Sequence, residues 1–204
     1  MNIEQNTETF KKILRETNRN GIESVIEGIE KLGFFTAPAS SKFHLAEDGG
    51  LCQHCLNVYM QADAIRSAQI RLDATMQEKI PMDSLIIVSL LHDVCKADVY
   101  VKGKKWRKDK EGRWETYDSW DVDYTKNPLD HGVKSVVSLL RMGLELHEDE
   151  IAAVRWHMAG WDLSDYREAR DCFGKACDKY PLLSVLIAAD ELASRITEVN
   201  RNVK

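Results

Sequence analysis

No stretch of this chain is apolar for long enough to cross a bilayer: a run such as Leu85 to Leu91 is far short of the roughly 20 residues a spanning helix needs. The opening residues MNIEQNTETFKK lack the charged-then-apolar pattern of a secretory signal. The expectation is a cytoplasmic protein without membrane contact. Cysteine is sparse and odd in number, five in all, which argues against a disulfide framework and fits a reducing compartment. Cys52 and Cys55 have the spacing of half a zinc knuckle, but no second pair matches them, since Cys172 and Cys177 lie five apart. They are expected as small core residues. Internal repeats and low-complexity segments are absent too. An overall positive charge is also missing: the net charge is −5, which does not suggest general affinity for nucleic acid.

What is present is a sizeable core. The 204 residues are 44% hydrophobic, enough for one domain over 1–204 and too much for a disordered chain. Apolar spacing predicts helices at 7–18, 22–32 and 51 to about 68. Between them lies a loop over 34–50 with Pro38, small residues and a double glycine. Asp83 is expected to cap a helix running to 97, apolar nearly all round and therefore central. Further helices are expected at 132–142, 148–159, about 164–170, and from Pro181 to about Val199. The region 99–124 differs. It is rich in aromatic, β-branched and charged residues around Glu111-Gly112, which predicts an inserted β-hairpin. Its stretch from Lys102 to Arg113 carries +5, leaving −10 on the rest. The fold class is all-α, a helical bundle with one small hairpin.

Metal-competent side chains recur on these helices, in GGLCQHCLNV (49–58), LLHDVCK (90–96), LDHGVKS (129–135), RWHMAGW (155–161) and LIAADELASR (186–195). The helix 83–97 is greasy, yet holds His92, Asp93 and Lys96; Asp190 likewise follows an apolar run. Burying an imidazole and a carboxylate costs several kcal/mol unless they are paired or share a cation. Imidazole with carboxylate suits Mn, Fe, Co, Ni or Zn, with Mg also admitted. Such an ion lowers the pKa of bound water and neutralises phosphoryl charge. Lys96, one helical turn after His92, can meet a phosphate; equally, a cation there can cap the helix end.

The order His54, His92-Asp93, Asp190 resembles the signature of the HD-domain metal-dependent phosphohydrolase superfamily. LLHDVCK is similar to its HD-x-x-K form, and the motifs run over residues 36–195. The resemblance implies an HD-type helical fold and a first metal held by His54, His92, Asp93 and Asp190. His131 and His157, between HD and the last Asp, resemble the two-metal branch in which Asp93 bridges, as in the three-prime exoribonucleases and cyclic-dinucleotide phosphodiesterases; otherwise they are structural or support the first site. PASSKFHLAEDGGLCQHCLNV is most similar to the exoribonuclease type and to small stand-alone bacterial or phage hydrolases, and His44 matches a substrate-loop histidine there. An N-terminal OB domain and a GYP-type segment are lacking, and the Trp-rich hairpin is extra.

The implied activity is hydrolysis of a nucleotide or nucleic-acid phosphoester by a metal-activated water. Asp93 and Lys96 would be catalytic, and His44, Lys96, Arg155 and Trp161 would contact substrate. Three rival readings remain at this point: an HD-type di-iron oxygenase, a non-catalytic metal-containing nucleic-acid-binding module, and a protein-interaction or regulatory role. The hairpin reads either as a solvated ribbon with Trp106, Trp114 and Trp120 packed on the body, or as a flap whose cations hold phosphates while a tryptophan stacks on a base. His147, among Glu145, Glu148, Asp149 and Glu150, is expected at the surface, and Trp161 as pocket lining or core.

Overall fold

Apolar periodicity builds the first layer. In the computed structural model, which describes residues 2–161 and 167–199, α1 (Ile3–Arg15) buries Phe10 and Leu14, and α2 (Ile22–Lys31) buries Ile22, Val25, Ile26 and Ile29. Phe10 meets Phe34 and Phe35 at ring-centroid distances of 5.2 and 5.5 Å, which seats the loop after α2 on α1. That loop ends at Gly49, whose φ of +81° favours glycine. The next residue, Gly50, starts α3 (Gly50–Leu72), and a Cβ there would lie 2.0 Å from the Leu45 carbonyl oxygen. The double glycine therefore lets the loop carrying His44 fold back onto the first turn of the helix carrying His54.

A short helix α4 (Met76–Lys79) leads into α5 (Met82–Leu91). Every residue from Ser84 to Leu91 is buried, as the all-round apolar pattern predicts. Two details differ from the sequence reading. Pro81, not Asp83, occupies the cap position; Asp83 sits in the first turn and pairs with Arg19 at 3.2 Å. The α-helix also stops at Leu91 rather than running to 97, and a 3-10 segment, Val94–Asp98, follows His92 and Asp93.

The hairpin comes next, with β1 (Tyr100–Lys108) antiparallel to β2 (Trp114–Val122) in continuous register from Tyr100↔Val122 to Lys108↔Trp114. Trp106 and Trp114 are 66% and 65% exposed, so these two rings do not pack against the body.

Helices α6 (His131–Arg141), α7 (Glu148–Trp156), α8 (Arg167–Lys179) and α9 (Pro181–Leu192) complete the bundle. Residues 164–166 of the helix expected at about 164–170 lie outside those described, and α8 continues beyond the expected end to Lys179. The final helix is also shorter than expected: beyond Leu192 the chain widens into a π turn, Ala193–Thr197. α3 packs against α5 and α9, α7 against α6 and α9, and the 3-10 segment against α6. One core joins Phe10, Leu51, Leu85, Leu90, Leu139, Ala153 and Leu186. The molecule is mainly helical with one two-stranded sheet, and no helix among the described residues is long and apolar enough to cross a membrane.

Candidate metal centre

Four helix ends converge on Asp93. A continuous α-helix would turn neighbours His92 and Asp93 about 100° apart. Instead α5 ends between them: Asp93 takes φ −102°, ψ 17°, the sparsely allowed bridge region where many active-site residues sit, and its carbonyl accepts from Lys96 N at 2.9 Å. The change of helix type swings both side chains into one centre. His157 likewise stands just past the end of α7, and His131 opens α6. A Cβ on Gly132 would lie 2.1 Å from the Arg155 carbonyl oxygen, so only glycine lets α6 approach α7 this closely. His131 Nε2 and His157 Nε2 are thereby 3.2 Å apart.

The two oxygens of Asp93 face different imidazoles. Oδ2 lies 3.5 Å from His54 Nε2 and 3.4 Å from His92 Nε2. Oδ1 lies 2.7 Å from His131 Nε2 and 3.4 Å from His157 Nε2. Asp190, on α9, places Oδ1 3.2 Å from His54 Nε2. Donor atoms sharing an ion at about 2.0–2.2 Å stand roughly 2.8–3.6 Å apart, so this spacing suits metal ligation. Four groups of three have their ligand atoms within 4.8 Å of one another: His54 with His92 and Asp93; Asp93 with His131 and His157; His92 with His157 and Asp190; and His44 with His54 and Glu198.

The outer nitrogens are all engaged. His92 Nδ1 donates to the Ser89 carbonyl at 3.0 Å and His157 Nδ1 to the Val154 carbonyl at 2.8 Å. His54 Nδ1 donates to the Glu198 carboxylate at 3.0 Å, and His131 Nδ1 lies 3.2 Å from Cys95 Sγ. A carbonyl or carboxylate only accepts, so Nδ1 of His54, His92 and His157 carries a proton and Nε2 is the nitrogen left to take a metal ion, the arrangement metal-binding histidines show. Nε2 of His54 and of His92 is buried with no hydrogen-bond partner, although His54 Nε2 lies 3.2 Å from Asp190. Two orphaned lone pairs aimed at carboxylates fit a cation.

Charge leads to the same conclusion. Asp93, Asp190 and Glu198 bring three carboxylates, and Lys96, 2.7 Å from Asp93 Oδ2, is the ammonium placed against them. Burial opposes the ionisation of Asp93, but Lys96 and the histidines outweigh it and hold its pKa well below the usual range. Asp190 is lowered in the same way, chiefly by His54 against burial. Burial also opposes protonation of His54 and His131. The carboxylates raise His54 to about 9, and Cys95 with Asp93 raises His131 to about 9. The centre draws in protons because it has excess negative charge to be neutralised.

Of the residues singled out from sequence, His54, His92, Asp93, Lys96, His131, His157 and Asp190 meet here. His44 stands beside them, its ring centroid 5.1 Å from that of His54 and its Nε2 3.9 Å from Glu198. Burial, with repulsion from His54 and Lys96, lowers its pKa to about 4, so it stays neutral. Arg155 pairs with Asp130, the cap of α6, at 3.4 Å and lies over the Trp156 ring. The Trp161 side chain lies outside the described residues. His147 is exposed and closes a capping box at the start of α7. Cys52, Cys55 and Cys95 are buried and free; burial pushes the Cys52 thiol up to about 12.

Glu198 was not foreseen. The π turn after α9 returns it to His54, and Asn57, one turn beyond His54 on α3, also donates to it at 3.0 Å. Burial disfavours its charge, but His54 and Asn57 hold its pKa below the ordinary value. A signal was available: a buried His-x-x-Asn pair on one helical face needs an acceptor.

The fold and site thus define a mainly helical protein with a buried His/Asp cluster that could hold a metal ion. No protein-family model, curated protein or solved structure matches the chain.

Proposed function

We propose that this chain is an HD-type metal-dependent phosphohydrolase acting on a nucleotide or nucleic-acid phosphoester. One observation carries the reading: each oxygen of Asp93 faces its own pair of imidazole Nε2 atoms. A carboxylate so placed would serve two cations, one held by His54, His92 and Asp190 and the other by His131 and His157. The ordered motifs give independent support.

Divalent ions held there supply a nucleophilic hydroxide near neutral pH and offset charge on a phosphoryl oxygen. The chain's own groups do the rest. Ser89 and Val154 carbonyls, Glu198 and Cys95 fix the ring orientations of the four histidines. Lys96, whose side chain is 15% exposed, offsets the charge of Asp93 and presents an ammonium at the rim of the centre. His44, neutral and beside His54, offers an uncharged donor to a substrate oxygen.

The test is metal content with turnover. Protein reconstituted with Mn or Co is expected to hold about two ions per chain and to cleave phosphoesters. Asp93→Ala is expected to lose both ions and all turnover. Full metal content in Asp93→Ala would remove the central assignment. Oxygen consumption by iron-loaded protein, with no phosphoester cleaved under any metal, would replace the hydrolase reading with an oxygenase.

A further inference from the structure

The hairpin sorts its side chains by face. Strand alternation puts Tyr100, Lys102, Lys104, Trp106 and Lys108 of β1 on the same side as Trp114, Thr116, Asp118, Trp120 and Val122 of β2. On the opposite side the charges cancel: Lys105 pairs with Asp121 at 2.8 Å and Arg107 with Glu115 at 2.6 Å. The turn neutralises itself as well, because Arg113 bonds Asp109 and Glu111, each at 2.9 Å. The positive excess is therefore left on the tryptophan face, where Lys104 and Lys108 have no ion pair among the described residues.

The rings on this face are open. Trp106 and Trp114 are about two-thirds exposed, although burying a tryptophan is ordinarily among the largest apolar gains a chain can make. Lys108 lies over the Trp114 ring at 5.5 Å and Lys102 over the Trp120 ring at 5.3 Å, so ammonium and indole alternate across the ribbon. At its root the face reaches the metal centre: Tyr100 follows the 3-10 segment that carries Lys96, and its hydroxyl feels both Lys96 and Asp93. Lys102 ties the ribbon to the His44 loop through Asp48 at 2.8 Å.

We infer that this tryptophan–lysine face binds single-stranded nucleic acid, stacking unpaired bases on Trp106 and Trp114 and contacting phosphates with Lys104 and Lys108. Exposed rings spaced by cations are what an unpaired strand requires, since each base offers a π face and each link a negative charge. A duplex hides its base faces. A membrane-binding surface would group its rings beside aliphatic side chains; here Thr116 and Asp118 stand between the tryptophans. The idea that the bound strand is led toward the centre for cleavage rests on the proposed hydrolase reading; the binding does not.

The experiment is fluorescence anisotropy of the full chain with labelled oligothymidylate, with an equal-length duplex and with phosphatidylserine vesicles as competitors. Expected are preference for the single strand and a log–log salt slope near −1.4, about −0.7 for each of two phosphates contacted. The Trp106→Ala/Trp114→Ala variant should weaken binding about tenfold or more. Lys104→Ala/Lys108→Ala should flatten the salt slope toward zero. Both variants change exposed side chains, and an unchanged melting temperature verifies their folding. Equal competition by duplex, preference for vesicles, or unchanged affinity in the tryptophan variant would overturn the inference. Phosphoester cleavage is measured separately on the unaltered protein. Cleavage without strand binding removes the platform and leaves the hydrolase; strand binding without cleavage does the reverse.

Discussion

Glu198 shows how one side chain can govern a centre without joining it directly. Its carboxylate takes the proton of His54 Nδ1 and the amide of Asn57, and its side chain is 1% exposed. A carboxylate behind a ligating histidine fixes the ring and strengthens its other nitrogen as a donor, and losing such a partner typically costs about 10–100-fold in metal affinity. Glu198→Gln keeps the shape and removes the charge. It is expected to weaken Mn or Co binding within that range, measured by competition with a chelating dye, while the circular dichroism spectrum stays unchanged. Affinity equal to the parent protein would make Glu198 a mere spacer. The His54-x-x-Asn57 pair called for an acceptor, but which residue supplied it was illegible in sequence for a physical reason. Its neighbourhood, RITEVN, reads as a solvated helix end, and only the π turn, which no periodicity announces, brings it inward. His92, Asp93 and Asp190 were legible because polar groups on greasy helices demand partners; Glu198 offered no such contrast.

The elements place these residues through where they stop. α5 ends at Leu91, α7 at Trp156 and α9 at Leu192, and each end precedes a group of the centre or its support: His92 and Asp93, His157, and Glu198. Periodicity located the helices well, since burial follows apolar spacing. It overran the ends of α5, α7 and α9, because a helix that changes to 3-10 or π geometry keeps a similar pattern for one more turn. The hairpin was readable from alternation, but its exposed tryptophans were not, as ring burial depends on what lies beneath. Contact between α6 and α7 brings His131 and His157 together, and with them the second cation position proposed above. Gly132→Ala drives a methyl against the Arg155 carbonyl, where backbone must yield. Overpacking of this sort costs typically about 1–3 kcal/mol. The expected result is a lowered melting temperature together with loss of about one of the two ions proposed per chain, as His131 and His157 are pushed apart. Unchanged metal stoichiometry in a destabilised variant would separate the packing of α6 from ligation.

At the scale of the whole molecule, the centre joins helices from both halves of the chain, so its charge state belongs to the folding equilibrium. His54 and His131 have folded-state pKa values raised from 6.5 to about 9. A raised pKa contributes stability that is fully present below the unfolded value and is lost as pH climbs through the folded value. Asp93 and Asp190 are depressed, so their contribution is present above the ordinary carboxylate range and persists throughout this window. The metal-free chain should therefore lose stability between about pH 6.5 and 9. A divalent ion occupies the place of those protons and must displace them, so its binding strengthens over the same window. The difference in melting temperature between metal-loaded and chelator-treated protein is expected to widen steadily from pH 6.5 to 9. Thermal melts at half-unit pH steps, with the chelator in excess, measure it. A constant difference would mean that the ion and the protons do not compete, and that the raised histidine pKa values belong to a structural ion-pair network.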